Sequence, residues 1–204
     1  MTAAALARVS ASVGGLALAV ALGLAARSMR PRAPLPVLGH IPSFRFVDER
    51  NAPFTSESML GHVSIVDFIF TRCMSSCPRL TATMAELQGR LGRRATSVHL
   101  VSFSVDPDND TPAVLADYAA KANADLSRWA FVTGPADEVA KAVVLGFKVS
   151  AAKVARGAGD YDVVHGNWLV LVDRKGNLRG YYQVEEGRDL ATVMEAAERV
   201  EREK

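Results

Sequence analysis

The chain's two cysteines stand four residues apart in Cys73-Met74-Ser75-Ser76-Cys77-Pro78. If that stretch is helical or nearly so, positions i and i+4 share a face within about 6 Å, close enough for a disulfide or for two thiolates on one ion. A bridge closing so small a loop would constrain the unfolded chain little, which argues for chemistry over a structural staple. Pro78 marks a helix start, whose unpaired N–H groups and dipole favour the thiolate, the form that attacks or ligates. Two chemistries fit: dithiol–disulfide exchange, with Cys73 attacking and Cys77 resolving, and ligation of a soft ion such as Cu(I) or Zn(II). Two thiolates rarely complete a metal site, so ligation needs a third group. Of the four histidines, His40 lies in a proline-rich approach, His62 opens a strand and His99 sits inside one, positions that suit packing or surface roles. His165 ends the Gly157–Val164 loop just before a strand, where an α/β fold gathers loops around its active edge; it is either the third ligand or an ordinary loop residue. Met74 offers a thioether, though a methionine there more often packs against the fold.

The elements that must position these residues follow from periodicity. His62–Phe70 (HVSIVDFIF) is a β-branched and aromatic run too short for a helix and reads as a buried strand. Pro78 then opens a helix in which Leu80, Met84, Leu87 and Leu91 recur at helical spacing. A strand at Ser97–Val105 and a helix from about Pro112, capped by Thr111, continue the pattern. After a short strand at Trp129–Val132 and a helix from Pro135 to Leu145, NWLVLVD, the turn RKGN and LRGYYQV read as a hairpin. An amphipathic helix over Asp189–Glu203 closes the chain. Strands alternating with helices, then a hairpin and a closing helix, predict an α/β domain with a mixed sheet flanked by helices, the thioredoxin-like arrangement.

Composition excludes several functions. The 204 residues are 49% apolar, which suits one compact domain. Residues 1–32 hold four arginines and no acid, so the remaining 20 Lys and Arg face 22 Asp and Glu, no excess that would attract nucleic acid. Asp106-Pro107-Asp108-Asn109-Asp110 is not a calcium loop, because Thr111 and Asp117 stand where an EF-hand needs glycine and glutamate; it reads as a strand-to-helix turn. There is no P-loop, dinucleotide fingerprint or serine elbow.

Between Arg8 and Arg27 lie 18 uncharged residues, about 27 Å of helix at 1.5 Å per residue, just short of a ~30 Å hydrocarbon core. Residues 1–30 read as a membrane anchor or a signal segment, a hydrophobic helix preceding the domain. Either one puts the body outside the cytoplasm, in the periplasm or its equivalent, or secreted if the segment is cleaved. Residues 31–42, with Pro31, Pro34, Pro36 and Pro42, read as an extended linker, and residues 43–204 as the domain.

FTRCMSSCP after a strand, SFSVDPDNDTP about thirty residues on, WAFVTG, and a late histidine before a strand and LVDRKGNLRGYY closely resemble the Sco/SenC family over roughly residues 40–204. Met74 and Ser76 stand where that family often has proline and an acidic residue. The resemblance implies a thioredoxin-like, membrane-anchored copper metallochaperone that helps assemble the binuclear copper centre of cytochrome c oxidase. It implies Cys73, Cys77 and His165 as ligands of a copper ion, Cu(I) or Cu(II), with the copper-accepting oxidase subunit as partner. The cysteines must be reduced to bind, so an external thiol reductant is a second partner. The rival reading is an enzyme, a thiol-disulfide oxidoreductase that reduces the cysteines of an oxidase subunit or another cuproenzyme, with a Cys73–Cys77 disulfide in its cycle. Three residues between the cysteines, and no proline after Pro135 where thioredoxins usually carry one, count against a general thioredoxin.

Overall fold

The computed structural model describes residues 33–73, 77–91, 97–157, 160–165, 167–184 and 190–203, with the side chains of 151–157 and 160–165 outside the description. Its strands are β1 (Gly39–His40), β2 (Arg45–Asp48), β3 (Pro53–Thr55), β4 (Val63–Ile69), β5 (Val98–Ser104), β6 (Trp129–Thr133), β7 (Ala151–Gly157), β8 (Asp160–His165), β9 (Trp168–Val172) and β10 (Asn177–Gln183). Its α-helices are α1 (Cys77–Leu91), α2 (Pro112–Lys121), α3 (Ala136–Lys141) and α4 (Leu190–Arg202). The apolar segment between Arg8 and Arg27 lies outside the described residues, among which no helix is long and apolar enough to cross a membrane.

The sheet runs in the order β1-β10-β9-β4-β5-β6-β2-β3. The three central strands β4, β5 and β6 are parallel, and their neighbours are antiparallel to them, so the sheet is mixed as the alternation of elements predicts. All seven residues of β4 are buried, because helices and loops cover both faces and the strand needs no polar side. Val63, Ile65 and Ile69 point to the face covered by α1, α2 and α4. Val66 and Phe68 point to the other, packing with Phe44, Phe46, Phe103 and Phe147. Leu80, Met84, Leu87 and Leu91 of α1 are all buried, as their spacing predicts. The Thr111 hydroxyl caps α2 by accepting from the Val114 N–H at 3.4 Å. In the β9–β10 turn the Asp173 carboxylate accepts from Lys175 N and Asn177 N, and Gly176 takes a φ of +79°, open to glycine at no steric cost.

Three features differ from the sequence reading. The helix expected over Pro135–Leu145 is α-helical only through Lys141 and passes into a π turn, Ala142–Gly146, where Phe147 N–H reaches Ala142 O at 2.8 Å. There Gly146 lies against Pro42, whose ring a Cβ would meet at 2.2 Å. The stretch expected as the Gly157–Val164 loop is a two-stranded ribbon of β7 with β8, apart from the main sheet; the valines and tyrosine of DYDVVH favour extended backbone. Residues 39–55 contribute three short strands that periodicity did not mark.

The unit Leu35–Lys204 includes part of the proline-rich stretch. Arg179, with a side chain 7% exposed, pairs with Asp173 at 2.9 Å and with Glu203, and donates to the carbonyls of Leu35 and Pro36. One guanidinium thus ties the start of the unit to β10 and to the end of α4.

Candidate redox and metal site

The chain leaves β4 at Ile69, carries Thr71 to Cys73, and enters α1 at Cys77. The Cys77 N–H, at the mouth of α1, donates to Cys73 Sγ at 3.3 Å, and Cys73 N–H donates to the Phe70 carbonyl at 3.2 Å. The spacing therefore brings the two cysteines together, with no disulfide between them. They are not equivalent: Cys77 is fully buried and Cys73 is 7% exposed. Burial pushes the Cys77 thiol well above the ordinary thiol range, with its hydrogen bond to Cys73 and the nearby Cys73 and Asp67 charges acting the same way, partly offset by a backbone hydrogen bond with Phe70. At Cys77 burial thus works against the thiolate that a helix start favours. The helix N–H is directed at the Cys73 sulfur instead.

The approach to Cys73 is braced from the Asp106–Asp110 segment. Asp110, 0% exposed, accepts from Thr71 N–H at 3.1 Å, from the Thr71 hydroxyl at 2.6 Å and from the Ser104 hydroxyl at 2.6 Å. Asp106, equally buried, pairs with the Arg72 guanidinium at 3.1 Å and accepts from the Asn109 amide. Both residues ahead of Cys73 are therefore clamped to the strand-to-helix turn after β5. The sequence reading took that turn as structural and missed its purchase on the cysteine loop. The available signal was a cluster of acids directly after a strand parallel to the one feeding the cysteines.

Asp67 was missed as well. It sits in mid-β4 at 0% exposure, on the face that α1 covers. Its Oδ1 accepts from the Ser102 hydroxyl, which accepts from Trp129 Nε1 at 2.9 Å, while Oδ2 has no hydrogen-bond partner among the described residues. Burial raises the Asp67 carboxyl to about 7 against the pull of its hydrogen bonds. Its signal was a lone acid inside an otherwise apolar strand run.

His165 closes β8, its backbone paired with Ala151. The antiparallel register Val66↔Val170 brings the start of β9 alongside the end of β4, so the His165 backbone approaches the sheet from the end that carries the cysteines. Its side chain, like residue Met74, lies outside the described residues, and so does its role as a ligand. Among the described residues no three His, Cys, Asp or Glu side chains cluster as a metal site. The other histidines pack elsewhere. His62 and His99 stack at 4.1 Å by the starts of β4 and β5, and burial lowers the His99 pKa with help from His62 and Arg128. The His40 ring lies 2.9 Å from the carbonyls of Ile41 and Lys175.

Comparison with known proteins agrees with this geometry. The SCO1/SenC family model matches residues 37–201. A SCO1 protein homolog of Bacillus subtilis is 35% identical over 152 residues, 74% of this chain and 77% of its own. The structure of BsSco, described as carrying a disulfide switch and as a member of the Sco family of cytochrome c oxidase assembly proteins, superposes with a TM-score of 0.72 at 31% identity, covering 83% of this chain and 98% of its own. That of Bradyrhizobium japonicum ScoI with copper bound superposes with a TM-score of 0.68 at 27% identity, covering 80% and 99%. A cysteine pair at the mouth of α1, a mixed thioredoxin-like sheet and a family match across nearly all of the described chain lead to one statement of kinship: the chain belongs to the SCO1/SenC family.

Proposed function

We propose that this protein is a copper metallochaperone for cytochrome c oxidase, holding one copper ion between the thiolates of Cys73 and Cys77 and the neutral imidazole of His165. The observation that carries the reading is the sulfur pair at the start of α1, joined by the Cys77 N–H···Sγ contact at 3.3 Å. Thiolate ligands select a soft ion, and a site of only three protein ligands leaves the metal open to a recipient's own ligands. The protein's work is to present two reduced sulfurs on a braced loop, to release their protons as copper enters, and to take protons back at handover. The high pKa at Cys77 makes its proton the harder to displace, so affinity falls steeply as pH falls. The recipient is the copper-accepting subunit of a respiratory oxidase, and an external thiol keeps the pair reduced. The apolar N-terminal segment anchors the domain outside the cytoplasm.

Anaerobic copper titration of the reduced protein against its His165→Ala variant, with a competing chelator and optical detection, tests the reading. We expect tight one-to-one binding that is lost without His165; unchanged affinity and spectrum in the variant would overturn the three-ligand site.

A second reading is favoured by the asymmetry of the pair. An outer Cys73 beside a more deeply buried Cys77 is the arrangement of an attacking and a resolving thiol, and a disulfide switch is described for BsSco. As a thiol-disulfide oxidoreductase the protein would reduce a recipient's cysteines before they take metal. His165→Ala separates the two, because dithiol exchange survives it.

A further inference from the structure

A groove of about 490 Å³ opens beside the cysteines, between α1 and α2. Cys73 and Thr71 line one end, Pro78, Ala82 and Ala85 form the α1 wall, and Tyr118, Ala122 and Lys121 form the α2 side. Three features define an occupant. The small side chains of Ala82, Ala85 and Ala122 leave an apolar trough where larger residues would close the gap between the helices. On the floor the Tyr118 and Thr81 hydroxyls are 2.7 Å apart; one hydrogen serves that bond and the other remains to donate to a carbonyl. Among the described residues the exposed Lys121 at the rim has no ion-pair partner and no carboxylate lines the groove. An apolar trough with a hydroxyl donor, one unpaired cation and a reactive sulfur at its end suits an extended peptide carrying sulfur, an apolar side chain and a carboxylate.

We infer that this groove receives a short, extended, cysteine-bearing segment of the partner protein, its sulfur at Cys73, an apolar neighbour in the alanine-lined trough and an acidic side chain against Lys121. The inference rests on the second reading above, in which Cys73 is the attacking sulfur of a thiol-disulfide oxidoreductase. It adds that recognition runs along the α1–α2 side of the molecule.

The probe is the peptide Ac-Glu-Ala-Leu-Cys-NH2, activated as its 2-thiopyridyl disulfide. The Cys73 thiolate attacks the peptide sulfur, the sulfur–sulfur bond to the thiopyridyl group breaks, and 2-thiopyridone leaves with the electron pair. Cys77 then displaces the peptide thiol, giving the Cys73–Cys77 disulfide. Thiopyridone release is followed on the reduced protein and on the exposed-site variants Ala82→Trp and Lys121→Glu, with melting curves to verify folding. The Ac-Lys-Ala-Leu-Cys-NH2 analogue reports charge preference, and the small neutral reagent methyl methanethiosulfonate reports bare thiol reactivity. We expect Ala82→Trp to slow both peptides about ten-fold while the small reagent reacts as before. Lys121→Glu should slow the glutamyl peptide about five-fold at low salt and speed the lysyl peptide by a similar factor, an effect that salt screens. Unchanged peptide rates in both variants, with the small reagent still reacting at Cys73, would overturn the groove and leave the oxidoreductase reading standing. A Cys73 inert to all three reagents would overturn both.

Discussion

Asp110 and Asp67 both lie near the cysteines with their carboxylates completely buried, and they are held in opposite ways. Asp110 accepts three hydrogen bonds, two from Thr71 and one from Ser104, while Asp67 accepts one, from Ser102, and leaves Oδ2 without a hydrogen-bond partner among the described residues. Burial raises both carboxyls, but at Asp110 three donors oppose it, and its oxygens hold the backbone that enters the cysteine loop. At Asp67 desolvation wins, leaving a group that titrates near neutrality beside Cys77. Burial alone thus fixes neither role. The number of donors aimed at the carboxylate separates a brace from a titrating group.

Breaking the brace has the largest expected effect. Asp110→Ala strands the Thr71 N–H and hydroxyl and the Ser104 hydroxyl in a buried site, and should cost about 4 kcal/mol in urea unfolding. Hydrogen exchange at Thr71 should accelerate with it. A loss below about 1 kcal/mol would show that water replaces the carboxylate and that the segment is no brace.

Asp67→Asn sharpens the other half. The folded pKa of about 7 lies above the ordinary 3.8, so the folded protein keeps a proton that the unfolded chain releases between those values. Stability from this group is full below pH 3.8, falls as pH rises, and is lost above about 7, by about 4 kcal/mol for a shift of this size. Asparagine removes the titration, though its amide hydrogens need acceptors where Oδ2 has no partner, so a net gain of about 2 kcal/mol over the parent is expected at pH 8. That gain should shrink or reverse at pH 5. Parallel stability–pH curves for the two proteins would refute the assignment of Asp67 as the titrating group.

Much of this was legible in the sequence, and the gaps have physical causes. The central strands, α1 and the β9–β10 hairpin could be read because burial on two faces, a single apolar stripe and a glycine turn each leave a local period. The strands of residues 39–55 could not, since Phe44 and Phe46 are buried by partners distant in sequence. The cysteine pair was legible as spacing, but its asymmetry was not: dipole and desolvation act oppositely on a thiol, and only the fold reveals that Cys77 is fully buried. Asp110 belonged to a segment already read as a turn, yet its hydrogen bonds reach 39 residues back to Thr71, a pairing that exists only once β4 and β5 lie side by side.

The smallest effect tests where the brace ends. Arg72 pairs with Asp106 at 3.1 Å, but its side chain is 46% exposed while that of Asp106 is fully buried. Water competes for the guanidinium, so the pair should contribute little although one partner is sequestered. Asp106 also keeps the Asn109 amide, so Arg72→Gln does not strand a bare charge. A loss of about 0.5 kcal/mol is expected at low salt, fading toward zero in high salt as screening removes the parent's advantage. If Arg72→Gln costs as much as Asp110→Ala and salt does not change the difference, the brace extends through Arg72 to the residue next to Cys73, and Asp106 and Asp110 act as one unit. If the loss is small and salt-sensitive, the energetic hold on the loop comes from Thr71, and the Arg72–Asp106 pair adds little to it.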